Sequence, residues 1–187
     1  MREDVVPAHR AVLVIPGSGG CWHLPHQLFA ADAARLRGAQ LHHVSWRGEV
    51  PTAPEARGPW AAEQIAAALR GLPRPLIIAS SLGTVAAGLA ADQGLPAIWI
   101  TPLLHRPEVV EGLRRASAPC LLIGGTADSS WRPGLARELS PHVFEADGAD
   151  HGLRVSGPLA RSAAVLGDLA TAVENFLDRV LWLDERR

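Results

Sequence analysis

The chain has 187 residues, 48% of them hydrophobic and 20% charged, with a formal net charge of -1. That length suits one domain, residues 1–187, with a substantial core; the near-neutral charge argues against nucleic acid or an anionic membrane surface as partner. All 18 basic residues are arginine, which excludes a P-loop lysine and a Schiff-base lysine, and no run reaches the roughly 20 apolar residues of a membrane span.

The start, Met1-Arg2-Glu3-Asp4, is acidic and precedes no long apolar run, so no secretory signal is expected. Ala11 to Ile15 is continuously apolar and bounded by Pro16-Gly17, the pattern of a buried parallel strand. Residues 25–37 carry apolar side chains at helical spacing, and 40–46 suit a second strand. A Pro- and Gly-rich stretch to Gly58 reads as a loop. A helix is expected over 60–70 and a third strand over 76–79. Small residues over 82–93 form a helix that stops at Gly94. A fourth strand, Ala97 to Ile100, a helix from Pro107 to Arg115 and a fifth strand over 120–124 follow. A helix over 132–139, a strand from His142 to Ala146 and an amphipathic helix over 159–183 complete the chain. Strand and helix alternate about six times, which predicts an α/β three-layer sandwich: a mostly parallel sheet with helices on both faces. In such sheets working residues gather at the carboxyl ends of the strands.

Four features fall at those ends. Ala79-Ser80-Ser81-Leu82-Gly83 follows the third strand. A hydroxyl nucleophile at a sharp strand-to-helix turn needs small neighbours two residues away on each side, and Ala79 and Gly83 supply them around Ser81. Serine also caps helices, so the motif alone leaves both readings open. Pro16-Gly17-Ser18-Gly19-Gly20 follows the first strand. Its amides, with that of Leu82, suit an oxyanion hole; a dinucleotide loop would want a third glycine where Trp22 stands. Asp128 closes the fifth strand in Gly124-Gly125-Thr126-Ala127-Asp128, where it can orient a histidine or simply cap a turn. His151 lies in Asp147-Gly148-Ala149-Asp150-His151-Gly152, with a side chain suited to proton transfer near neutrality. Asp147 and Asp150 stand as alternative acids. The order Ser81, Asp128, His151 is that of the α/β-hydrolase fold.

On these residues the chain resembles the α/β-hydrolase superfamily, from Val12 to the terminal helix. The matching segments are Val14-Ile15-Pro16-Gly17-Ser18-Gly19-Gly20, Ile78-Ala79-Ser80-Ser81-Leu82-Gly83-Thr84, Gly125-Thr126-Ala127-Asp128 and Gly148-Ala149-Asp150-His151-Gly152. It looks like the small, lidless bacterial branch, related to dienelactone-hydrolase-like and short carboxylesterase proteins. The resemblance implies Ser81 as nucleophile, His151 as base, Asp128 as acid, and oxyanion donors at Ser18 and Leu82. It departs from the family in having Ala79 for glycine, Pro16 where many members have histidine, and no N-terminal β-hairpin. It implies acyl transfer to Ser81 and hydrolysis of a small-molecule ester or thioester, with neither metal nor organic cofactor. The same three groups also serve acyl transfer, C–C cleavage or a cyclisation or lyase step elsewhere on this fold; a binding protein with relic residues is a third reading.

Around that site, Gly17 and Gly19, Trp22, Trp131 and His105 are the residues expected to border substrate, although both tryptophans would equally pack helices onto the sheet. The short stretch between Ile100 and Pro107 leaves no room for the cap commonly inserted there, so the cleft should be open, or completed by a second subunit in a homodimer. His23 and His26, and the adjacent His42-His43, lack the spacing of a metal site. Cys21 and Cys120 are far apart, arguing against a disulfide and for a reducing cytoplasm, with Cys120 a small buried hydrophobe.

Overall fold

A computed structural model describes residues 10–183. Residues 1–9, where the sequence carries no signal-like apolar run, and 184–187 lie outside them.

Six strands form one sheet: β1 (Ala11–Ile15), β2 (Gln40–His43), β3 (Leu76–Ser80), β4 (Ala97–Ile100), β5 (Cys120–Gly125) and β6 (His142–Ala146). Their order is β2-β1-β3-β4-β5-β6 and every neighbouring pair is parallel. The helices are α1 (Pro25–Arg35), α2 (Pro54–Leu69), α3 (Ala87–Gln93), α4 (Pro107–Arg115), α5 (Pro133–Leu139) and α6 (Leu159–Phe176). Successive side chains of a strand face opposite sides, and both faces are apolar. Leu13, Ile15, Ile77, Ala79 and Trp99 pack under α2 to α5, whereas Val12, Val14, Ile78, Ile98 and Ile100 pack under α1 and α6. Burying each large aliphatic side chain here contributes on the order of 2 kcal/mol.

Several boundaries differ from expectation. Helix α2 starts at Pro54 within the stretch read as loop. Pro54 occupies the first helical turn, where proline has no amide to lose and its φ is already helical. Pro59 lies five residues further on and forgoes one helical hydrogen bond. The second strand ends at His43, since it pairs only with β1 and the chain then turns away. Beyond β3 the chain forms a tight two-turn 3-10 segment, Ser81–Ala86, before α3; Gly94, left-handed at φ 60, ends α3 as expected. The last turn, Leu177–Leu181, widens, and the Trp182 amide closes it on the Leu177 carbonyl at 2.7 Å. Residues 101–106 join β4 directly to α4, with no inserted cap. No helix among the described residues is long and apolar enough to cross a membrane.

Candidate active site

Ser81 is the first residue after β3, and it holds φ 48. Left-handed φ is costly for a residue with a Cβ, so the surroundings must impose it. They do so through close approach. A Cβ placed on Gly83 would lie 2.8 Å from the carbonyl oxygens of both Ile15 and Pro16. Only glycine lets the turn after β3 press against the end of β1. One placed on Gly17 would lie 3.3 Å from the Ser81 Cβ. The Thr84 hydroxyl donates to the Ser81 carbonyl at 2.6 Å and accepts the Leu103 amide at 3.3 Å, tying the turn to the loop after β4.

His151 reaches Ser81 from beyond β6. Its Nε2 lies 2.9 Å from Ser81 Oγ, and its Nδ1 lies 2.7 Å from Asp128 Oδ2. The other Asp128 oxygen accepts the Ser130 amide at 2.8 Å. Asp128 is buried while the His151 ring is half-exposed. Burial pushes the Asp128 carboxyl up, but hydrogen bonds from His151 and Ser130 outweigh it and hold the group below the usual carboxylate range. The hydrogen bond to Asp128 raises the His151 pKa above its ordinary value; burial offsets this in part, and the charges of Asp128 and Asp150 add to it. The loop carrying His151 is anchored on both sides by buried residues, Ala149 and Leu153. The Asp150 carboxylate staples it by accepting the Gly152 and Arg154 amides at 2.8 and 2.9 Å. Asp147 accepts the Thr126 hydroxyl at 3.0 Å. Both alternative acids are therefore engaged elsewhere, and Asp128 is the one that meets the imidazole.

This chain of three groups can move a proton from a hydroxyl to an imidazole while a carboxylate holds the ring. No protein-family model matches the sequence, and no curated protein matches it either. Solved structures do. Est1E from Butyrivibrio proteoclasticus superposes with a TM-score of 0.70 at 12% identity, covering 95% of this chain and 90% of that one. Alpha/beta hydrolase domain-containing protein 10 from mouse gives 0.64 at 13% identity, covering 91% and 90%. The Pyrococcus furiosus esterase Pf2001 gives 0.62 at 14% identity, covering 92% and 84%. The chain has the α/β-hydrolase fold.

Within this α/β-hydrolase fold the loop after β1 is held from two sides. Trp46 Nε1 donates to the Gly17 carbonyl at 2.8 Å, and the Gly20 amide donates to the same oxygen at 3.0 Å. Gln27, fully buried on α1, donates to the Ile15 carbonyl at 2.6 Å, and its oxygen accepts the Ser80 hydroxyl at 3.3 Å. One side chain thus links the residue before the loop to the residue before Ser81. The sequence signal for Gln27 is a polar residue on the stripe it shares with Ala30, Ala31 and Ala34. His26, also on α1, is buried beside the His151 loop. Burial holds its pKa down at about 4, against a hydrogen bond to the Gly152 backbone; the neighbouring charge of His151 adds to the lowering. His26 is thus neutral at physiological pH.

Ser18, Ser81 and Leu82 share a cleft of about 490 Å³ with Leu103, His105, Pro54, Glu55, Arg57 and Arg106. Leu82 lies in the first turn after β3, where amides have no partner within the turn itself. His105 is exposed at the cleft, as expected from its place after β4. Gly19 is open, with nothing near its absent Cβ. The two tryptophans expected to border substrate lie elsewhere. Trp131 is only 5% exposed; it packs against Gly124, and its Nε1 donates to Glu145 at 2.7 Å. It is core beneath the Asp128 turn, because that turn folds back onto the sheet. Trp22 stacks on His43, ring centroids 3.9 Å apart, over the outer strand β2. Neither lines the cleft of Ser81. Cys120 is buried and Cys21 exposed, both free, and burial pushes the Cys120 thiol up. Among the described residues no three His, Cys, Asp or Glu side chains are grouped to hold a metal ion.

Proposed function

We propose that the protein is a serine hydrolase that cleaves a carboxylic ester or thioester through an acyl-enzyme on Ser81. The observation that carries this is the continuous chain Asp128–His151–Ser81, at 2.7 and 2.9 Å, ending on a serine held at φ 48. Likeness of fold to the Pyrococcus furiosus protein described as an esterase supports it.

In this reading Ser81 Oγ attacks the carbonyl carbon and gives its proton to His151 Nε2. Asp128 accepts the Nδ1–H, fixes the tautomer and stabilises the imidazolium. The Ser18 and Leu82 amides receive the oxyanion as it forms. His151 then protonates the departing alkoxide or thiolate, leaving acyl-Ser81. Water gives a proton to the same Nε2 and attacks the acyl carbon; His151 then returns that proton to Ser81 Oγ as the acyl–oxygen bond breaks, releasing the carboxylic acid and restoring both groups.

A fluorophosphonate probe is expected to modify the protein once, on the peptide containing Ser81, as read by mass spectrometry. No labelling of folded protein, or labelling at another residue, overturns the assignment. The pH profile provides a second check. Protonated His151 cannot accept the Ser81 proton, so kcat/KM for a neutral ester falls on the acid side of the His151 pKa. Since Asp128 raises that pKa above the ordinary 6.5, the ascending limb is expected to have its midpoint above 6.5. In Asp128→Asn the residual activity should show a midpoint displaced to lower pH, because the neutral amide no longer favours the imidazolium. Steady-state kinetics across pH 5 to about 9 would reveal either outcome.

A further inference from the structure

The proposed reaction leaves the arginines of the cleft unexplained. Pro54, Leu82 and Leu103 give the cleft apolar surface, and Glu55, Arg57 and Arg106 add charged groups; in ligand clefts such polar groups set orientation and specificity. The same two elements that bring Pro54 and Leu103 also carry Arg57, on α2, and Arg106, on the loop after β4.

Arg57 is in no ion pair among the described residues, whereas Glu108 offsets part of the Arg106 charge. Arg57 donates Nε to the Pro51 carbonyl at 2.9 Å and Nη2 to the Thr52 carbonyl at 3.2 Å. Those carbonyls fix the side chain without neutralising it. Arg106 is 17% exposed and pairs through Nε with Glu108 at 2.7 Å. Its Nη2 lies close over α2, about 3.2 Å from where a Gly58 Cβ would stand. The arginine forks suit bidentate capture of a carboxylate, and partial burial strengthens such a contact. The cleft also contains Glu55, but Glu55 is exposed, so water and salt screen it more than they screen Arg106. His105 adds a further donor at the rim.

Building on the hydrolase reading, we propose that the preferred substrate is an anionic ester or thioester. It carries a carboxylate, separate from the scissile bond, that Arg57 and Arg106 receive while Ser81 attacks. The arginines are specificity-determining groups that bind the remote carboxylate, and no bond is made or broken at them.

The test compares matched substrates. Mono-4-nitrophenyl adipate is set against its methyl ester, which places the charge on the acyl side. 4-Acetoxybenzoate is set against methyl 4-acetoxybenzoate, which places it on the leaving side. In one of the two pairs, kcat/KM for the anionic member should exceed that of the neutral member by about tenfold or more, mainly through KM. The preference should shrink as ionic strength rises from about 0.01 to about 1 M. Arg57→Gln and Arg106→Gln should each collapse the ratio, Arg57→Lys should restore part of it, and Glu55→Gln should increase it. Equal or lower turnover of the anionic member in both pairs overturns the proposal, even though the neutral esters are hydrolysed. A ratio unmoved by either arginine variant also overturns it. If no ester in either pair is hydrolysed and Ser81 takes no fluorophosphonate, the hydrolase reading itself fails. The ionic-strength comparison uses unmodified protein, so it decides the matter even if an arginine variant does not fold.

Discussion

Asp128→Asn is expected to lower acyl-ester turnover by about three to four orders of magnitude, roughly 4 to 5.5 kcal/mol of transition-state stabilisation. The size of the effect follows from orientation. One Asp128 oxygen accepts the Ser130 amide at 2.8 Å, so an asparagine would keep its carbonyl there. Its NH2 group would then take the place of the oxygen that faces His151 Nδ1 at 2.7 Å. A donor at that point forces the imidazole to put its own proton on Nε2, the nitrogen that must accept from Ser81. Base and nucleophile would stay in place with the tautomer wrong. Asp150→Asn is the control. The Asp150 oxygen that accepts two backbone amides survives as the asparagine carbonyl, so turnover should change by no more than a few-fold. Steady-state kinetics on one activated ester, with circular dichroism to show folding and Ser81→Ala to set the floor, separates the two. If Asp150→Asn gave the larger loss, the acid would be misassigned.

The groups of that chain were legible because each follows a strand whose apolar pattern is unambiguous. Once β3, β4, β5 and β6 run parallel side by side, their carboxyl ends lie along one edge, and Ser81, Asp128 and His151 gather there. The cleft wall was not legible for a converse reason. Arg57 lies in a stretch whose prolines and glycine, Pro51, Pro54, Gly58 and Pro59, give turn signals. There, however, Pro54 begins a helix, and the tertiary packing of Gly58 under Arg106 tolerates what local propensity disfavours. The six extra residues of α2 bring Pro54, Glu55 and Arg57 to Ser81. Tryptophan presented a different ambiguity. Its ring suits a cleft or a core equally well, and only the backward fold of the Asp128 turn assigns Trp131 to the core. Trp46 and Gln27 act through backbone carbonyls rather than substrate, so no motif spacing marks them.

Gly125→Ala is expected to be the most damaging single methyl addition near the site. Gly125 ends β5, and the His151 loop crosses directly over it. An added Cβ would overlap the Ala149 carbonyl group. The constraint is space rather than backbone angle, because Gly125 is not among the residues with positive φ. The obstacle is backbone, which cannot swing aside as a flexible side chain would. Two ladder-like bonds also fix the gap: Thr126 N to Ala146 O and Ala127 N to Ala149 O, each 3.0 Å. Opening it should cost about 3 kcal/mol, or roughly 6–12 °C in Tm for a chain of this size. Since Ala149 precedes His151 by only two residues, whatever folds should also hold the imidazole away from Ser81 and lose turnover out of proportion to its lost stability. Gly134→Ala, where an added Cβ meets nothing within 4 Å, should leave Tm unchanged or slightly raised. Thermal melts with parallel ester assays measure both. An unchanged Tm and unchanged turnover in Gly125→Ala would mean that the loop does not lie against β5, and the route by which Asp128 and His151 meet would have to be different.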